Sequence, residues 1–223
     1  MAYIDFMSAV HKSTKRDYLA RVNDPEFPKH KAAALAKQWG YDYWDGDRRI
    51  NYGGYRYMEG RWEPVARAIV QHYGLKAGDR ILDVGCGKGF QLYEFTRVVP
   101  GIEVYGLDVS EYAIEHAKPE IKERLRVGSA ASLPWPDRHF DFVMSINTLH
   151  NLYCYDLDRA LREIERVGRR HKYICVESYR NEVEKANLLY WQVTCEAFNT
   201  PAEWEWWFRQ TGYTGDHSFI YFE

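Results

Sequence analysis

The stretch Arg80-Ile-Leu-Asp-Val-Gly-Cys-Gly-Lys-Gly-Phe90 limits what this chain can fold into more than any other. A β-prone apolar run carrying one acid, Asp83, passes straight into glycines at positions 85, 87 and 89. Glycine adopts left-handed backbone without steric cost and leaves bare main chain for a ligand to lie against. The pattern is that of a strand feeding a tight turn that opens a helix.

Spacing separates two ligands. A dinucleotide site wants Gly-x-Gly-x-x-Gly, but position 90 is Phe, which argues against a nicotinamide oxidoreductase. The order found, acid-x-Gly-x-Gly-x-Gly, resembles motif I of the class I S-adenosylmethionine (SAM) dependent methyltransferases. The resemblance implies SAM as cofactor, with its methionine part against Gly85 and Gly87 and Gly89 completing the turn. The cofactor carboxylate would then lie near the helix N-terminus, which favours negative charge, and its amine would face Asp83.

Downstream segments keep the same order. Ile102 to Ser110 is a second short strand ending in Asp108, at about the distance where a βαβ unit places its ribose-binding acid. The next residue, Val109, is expected to pack on the adenine face. Arg126 to Asp137 resembles the family's third strand and the loop under adenine. The family often has an Asp after the Gly there; this chain has Ser129, leaving backbone at Ala130 to read the adenine edge. Phe140 to Leu152 resembles the fourth strand and the loop bordering cofactor and substrate, with a carbonyl near Asn147 expected to receive the methionine amine. Leu157, Leu161, Ile164 and Val167 fall on one face of a helix expected over 156–168, and Lys172 to Ser178 reads as a fifth strand.

Alternation of this kind predicts an α/β, doubly wound, Rossmann-like and mostly parallel sheet. The specific resemblance covers roughly residues 62 to 180. The 223 residues read as one domain, with an aromatic-rich N-terminal cap over 1–61, a SAM-binding core over 62–180 and an accessory, sheet-closing segment over 181–223. The family closes its sheet with a sixth strand and an antiparallel seventh. Here Thr200-Pro-Ala-Glu203 reads as a capping box, and only Tyr213 to Glu223 follow the helix that it opens. A shortened sheet edge with one good strand, Ser218 to Phe222, is therefore expected.

A net charge of −2 leaves no basic field for nucleic acid, and the loop after the fourth strand lacks the Asn/Asp-Pro-Pro-Tyr clamp of base-amine methyltransferases. Cys86, Cys154, Cys175 and Cys195 are scattered without metal-ligand pairing, as expected of reduced thiols in a cytoplasmic protein. No apolar run approaches the roughly 18 residues of a membrane span, and no secretory signal opens the chain. No metal and no membrane partner are expected.

Tyr41, Tyr43, Trp44, Tyr52, Tyr55, Tyr57 and Trp62 are interleaved with Arg48, Arg49, Arg56 and Arg61, with turn signals at Asp45-Gly46 and Gly53-Gly54. This segment has no regular period and reads as an irregular cover behind a helix from about Pro28 to Trp39. Its bland role is to pack the cap onto the sheet. Its functional role would be to line an acceptor pocket through Tyr52, Tyr55 and Tyr57, with Arg56 meeting an anionic group. Asn181 to Phe198 reads as one largely apolar helix of cap core. Trp204, Trp206 and Trp207 crowd more than one side of the last helix, and a homodimer is one way to cover them.

For catalysis, His150 lies just past strand four and is the candidate general base, with simple packing as the alternative. Asn151 is a polar neighbour in the same loop. Past strand five, Glu177 would orient a base or bind an amine, with Tyr179 and Arg180 beside it to hold the acceptor. The resemblance implies a SAM-dependent methyltransferase similar to small bacterial enzymes that modify sugars or secondary metabolites, with oxygen placed first as the acceptor atom. Three alternatives stay open: a small-molecule N-methyltransferase, a protein or RNA methyltransferase, and a non-catalytic SAM-binding module.

Overall fold

A computed structural model describes residues 1–11, 17–20, 22–52 and 55–223, so the Gly53-Gly54 turn signal lies outside the described residues. Six strands run in chain order: β1 (Arg80–Val84), β2 (Glu103–Asp108), β3 (Leu125–Val127), β4 (Phe140–Ile146), β5 (Gly168–Glu177) and β6 (Asp216–Ile220). They form one sheet in the order β3-β2-β1-β4-β5-β6, and every adjacent pair is parallel. The doubly wound expectation holds, and among the described residues no antiparallel strand joins the sheet. Instead the N-terminus lies along β6: Tyr3 bridges His217, and Ile4 N donates to His217 O at 2.9 Å. Backbone that an edge strand would leave unpaired is thereby satisfied.

Strand residues alternate between two cores, as the period of two requires. Ile81, Phe142, Met144, Tyr173 and Cys175 meet helices α3 (Glu63–Tyr73) and α4 (Phe90–Val98) on one face. Leu82, Val84, Val143, Ile174 and Val176 meet α6 (Cys154–Val167) and α8 (Pro201–Thr211) on the other. The expected stripe on α6, Leu157, Leu161, Ile164 and Val167, is fully buried, at about 1.5–3 kcal/mol per side chain removed from water. Thr200 and Glu203 form the capping box that starts α8.

Several element boundaries differ from the sequence reading; the cap helix, expected from about Pro28 to Trp39, spans only Lys29–Ala36. β5 begins at Gly168 because Arg169 pairs with the buried Asp141, at 2.6 Å, and draws its start into the sheet. The last strand begins at Asp216, whose carbonyl accepts the Tyr213 hydroxyl, and Phe222 leaves the sheet, its carbonyl accepting from Asn187 Nδ2. The accessory helix, α7 (Glu182–Trp191), does not run on to Phe198. The Tyr52 hydroxyl accepts from Val193 N and Thr194 N, at 2.7 and 3.2 Å, taking donors that a longer helix would use internally.

The cap holds α1 (Lys29–Ala36) and the single turn α2 (Tyr41–Trp44), with irregular chain around them. Between β2 and β3 lies the short α5 (Glu111–Glu115). Among the described residues no helix is long and apolar enough to cross a membrane.

Candidate active site

The chain runs outward from β1 to β3 and returns at β4, so the sheet's direction of growth switches between β1 and β4. Open α/β sheets hold ligands outside the strand C-termini at this point. Gly85, Gly87 and Gly89 leave β1 there with φ of 85°, 53° and 74°, in the left-handed region. A Cβ on Gly85 would lie 2.0 Å from the Thr148 hydroxyl, and one on Gly87 would lie 2.7 Å from the Trp44 ring. Gly89 has a different task. A Cβ there would meet Ile121 and Leu125 at 2.8 and 3.0 Å, so this glycine seats α4 on its neighbours and does not line the cavity.

Outside the turn lies a cavity of about 590 Å³, bordered by Asp83, Gly85, Gly87, Asp108, Val109, Ser129, Ala130 and Asn147 at one end. Asp108 is buried and positioned by backbone: Oδ2 accepts from Gly87 N at 2.8 Å and Oδ1 from Ser110 N at 2.9 Å. Burial raises its carboxyl above the usual range, while those donors pull the other way. Asp83 has no such help. Burial, then the Asp108 charge, pushes its carboxyl up to about 8, and its Oδ1 has no hydrogen-bond partner among the described residues. Gln91 Nε2, Asn147 Oδ1 and Asn151 Oδ1 are also buried without partners, and all border the same cavity.

These unsatisfied groups test the fit of SAM directly. A buried acceptor, Asp83, precedes the turn in the chain and a buried donor, Gln91, follows it, and both border the cavity, which suits a ligand carrying both an amine and a carboxylate. Helix α4 has no side-chain cap, so its first amides add donors on the Gln91 side. Asp108 has used two of its roughly four acceptor positions and keeps the others for hydroxyls. Val109 is exposed beside them, an apolar surface of the kind a purine covers.

The same cavity is walled by Tyr43, Tyr52, Tyr55 and Trp191, with Glu177, His150, Asn151 and Gln192 also lining it. The polar groups form a chain. Tyr52 donates to Gln192 Oε1 at 2.6 Å, Gln192 Nε2 donates to Glu177 Oε2, and His150 Nε2 lies 3.5 Å from the same oxygen. His150 Nδ1 accepts from Glu177 N at 3.3 Å, which leaves the neutral ring its proton on Nε2. Burial pushes the imidazole down to about 3. The general-base role expected of His150 therefore does not fit this geometry: its accepting nitrogen is occupied and its other nitrogen faces a carboxylate. The Glu177 carboxylate borders the cavity, with His150 Nε2 and the Gln192 amide beside it.

Other expected site residues lie elsewhere. Arg56 is solvent-exposed and does not border the cavity. Tyr57 turns outward to α4, donating to Glu94 at 2.6 Å beneath the Lys118 ammonium. Tyr179 is buried in the core, with the Lys185 ammonium of α7 5.2 Å from its ring, and Arg180 pairs with Glu184 and Glu223. Arg61 is the cap arginine that reaches the cavity wall. The sequence reading missed Gln91 and Gln192. Gln91 follows the glycine turn by two residues, a signal available in the sequence. Gln192 is brought in by a loop whose path depends on Tyr52, for which no local signal exists.

The four cysteines are free, and among the described residues no cluster of His, Cys, Asp and Glu could hold a metal.

Residues 75–212 match a family model described as a methyltransferase domain, and the chain belongs to that family. The chain is 31% identical over 145 residues to a demethylmenaquinone methyltransferase of Symbiobacterium thermophilum, covering 60% of this chain and 57% of that protein. It is 28% identical over 149 residues to a 27-O-demethylrifamycin SV methyltransferase of Amycolatopsis mediterranei, covering 62% and 51%. The chain thus spans about half the length of the curated relatives it matches. Among solved structures, the YcgJ protein of Bacillus subtilis superposes with a TM-score of 0.52 at 23% identity over 66% of each chain, a likeness of fold.

Proposed function

We propose that this protein transfers a methyl group from SAM to a small-molecule acceptor enclosed between the cap and the C-terminal edge of the sheet. The observation that carries this reading is one cavity joining the glycine turn and Asp108 to a wall of cap aromatics, with buried Asp83 and Gln91 unsatisfied beside the turn. An aromatic cover of this kind favours a small molecule over a protein or nucleic-acid strand, which needs an open cleft. Family relatives named for a quinone and for an O-demethylated antibiotic are consistent with such an acceptor.

When bound, SAM would supply the methyl group of its sulfonium, the acceptor–carbon bond forming as the carbon–sulfur bond breaks and S-adenosylhomocysteine leaves. Asp83 and Gln91 would hold the amine and carboxylate of the methionine group, and Asp108 would accept from the ribose hydroxyls. The aromatic wall excludes water and fixes the acceptor's approach, and alignment supplies most of the rate in such a displacement. For an alcohol oxygen, as proposed here, Glu177 takes the departing proton. The neutral His150 N–H and the Gln192 amide hold that carboxylate in place.

Calorimetry with S-adenosylhomocysteine tests the cofactor half. The wild type should bind, and Asp108→Ala should lose about tenfold or more, the worth of a charge-assisted hydrogen bond. Unchanged affinity would remove the assignment. A panel of small alcohols and amines, followed by S-adenosylhomocysteine release, tests the acceptor half: Glu177→Gln should cut turnover of the alcohols about 100-fold with cofactor affinity intact.

A further inference from the structure

Trp44 and Asp45, at the end of α2, touch the glycine turn from the cap side. The six-membered edge of the Trp44 ring closes on Gly87, where a Cβ would stand only 2.7 Å from it. Its indole N–H is shared between Trp39 O, at 3.1 Å, and Ser110 Oγ, at 2.8 Å. Ser110 N in turn donates to Asp108. The ring therefore crosses from the middle glycine to the residue that anchors the ribose acid, and it borders the cavity along this path. Its other neighbours are Tyr43 and Tyr55, with ring centroids at 5.1 and 4.8 Å.

Asp45 fixes that position. Its carboxylate accepts from Lys88 Nζ through both oxygens, at 2.8 and 2.7 Å, and from the Tyr112 hydroxyl at 2.9 Å. Lys88 belongs to the glycine turn and is 94% buried. A buried ammonium with its carboxylate partner removed is strongly disfavoured, so this pair holds the cap against the turn more firmly than an exposed pair would. Tyr41 reinforces the contact edge-on against Tyr112 at 5.9 Å.

We propose that Trp44 is a cofactor-contacting residue that roofs the ligand between Gly87 and Asp108, and that Asp45 is a positioning residue that holds this roof shut through Lys88 and Tyr112. This inference rests on the reading of the cavity as a SAM site. Cofactor entry and exit then require the Asp45 pair to open. Burying an aromatic ring on a ligand slows its departure more than its arrival.

Stopped-flow binding of S-adenosylhomocysteine, paired with thermal melting of each variant, tests it. Trp44→Ala should speed dissociation about tenfold or more, whereas Trp44→Phe, which keeps most of the apolar roof, should stay within a few-fold of wild type. Asp45→Asn should speed dissociation at least several-fold, and Asp45→Glu should restore part of the slow phase. Dissociation rates within twofold of wild type for Trp44→Ala and Asp45→Asn, with only the melting temperature lowered, would show a merely structural contact and overturn the inference. If those variants behave so while Asp108→Ala loses binding, the roof fails and the cofactor site stands. No binding by the folded wild type would overturn both.

Discussion

Asp83 and Asp108 stand close together at one end of the cavity, and their surroundings push their titrations apart. Asp108 keeps backbone donors, whereas Asp83 is buried, lacks a partner on Oδ1 among the described residues and is pushed up to about 8. At pH 7 a carboxyl one unit below its pKa is protonated in about nine molecules of ten, and ionising it costs about 1.4 kcal/mol, a factor of about ten. A bound amine needs the ionised form. Binding of S-adenosylhomocysteine should therefore expel about 0.9 proton at pH 7, and affinity should rise nearly tenfold per unit between pH 6 and 7, flattening toward pH 8. Calorimetry in two buffers of different protonation enthalpy reads the proton directly. Asp83→Asn keeps an acceptor oxygen but has no proton to lose, so its binding should be almost independent of pH. The free protein gives a second reading. A carboxyl whose folded pKa is raised stabilises the fold fully below about pH 4, and that contribution is lost as pH rises toward about 8. Wild-type melting temperature should accordingly fall between pH 5 and 8 more steeply than that of Asp83→Asn. Equal proton release from wild type and Asp83→Asn would refute the argument.

Two further outcomes follow from packing. Gly85→Ala places a methyl 2.0 Å from the Thr148 hydroxyl at a φ of 85°, so backbone strain and overpacking together should cost about 2–5 kcal/mol in urea unfolding; an unchanged midpoint would contradict the geometry. Trp204→Phe deletes a fully buried indole whose N–H donates to Glu177 O at 2.9 Å. It should cost about 2–4 kcal/mol and slow turnover beyond its effect on cofactor affinity, and a stability loss under about 0.5 kcal/mol would show that the indole is not the anchor it appears in the fold.

The glycine turn and the strand ends around it were legible because their pattern is local. A strand, three glycines at alternate positions and an acid one strand later are contiguous pieces whose spacing alone distinguishes one ligand from another. The acceptor end was less legible because it is assembled from distant segments. Tyr52, Gln192 and Glu177 meet across separations of 15 and 140 residues, and nothing near any of them in sequence announces the others. Arg56, Tyr57, Tyr179 and Arg180 illustrate the same limit from the other side. Each lies within about three residues of one that does border the cavity, Tyr55 or Glu177, but a one-residue step along extended chain is enough to turn a side chain to the opposite face. Thus Tyr55 borders the cavity while Arg56 faces solvent, and past the end of β5 the chain leaves the strand's alternation, so Tyr179 enters the core although Glu177 borders the cavity. His150 was correctly placed at the strand edge. Its proton inventory depends on the Glu177 backbone N–H, a tertiary contact that no sequence pattern records.

The aromatic cap and the glycine turn constrain each other in a way that neither shows alone. Gly87 has a reason to be glycine from the cap side, since the Trp44 ring leaves no space for a Cβ there. Lys88 is a cation placed inside a turn where a positively charged cofactor is to bind, an arrangement that is unfavourable until Asp45 neutralises it. The cap therefore stabilises the turn electrostatically as well as covering it. Removing Asp45 should weaken cofactor binding even at high salt, because screening acts on exposed charges and Lys88 is not exposed. If instead 0.5 M salt erased the difference between Asp45→Asn and wild type in S-adenosylmethionine affinity, the pair would be acting from the surface, and the coupling between cap and turn would have to be sought in the Trp44 ring alone.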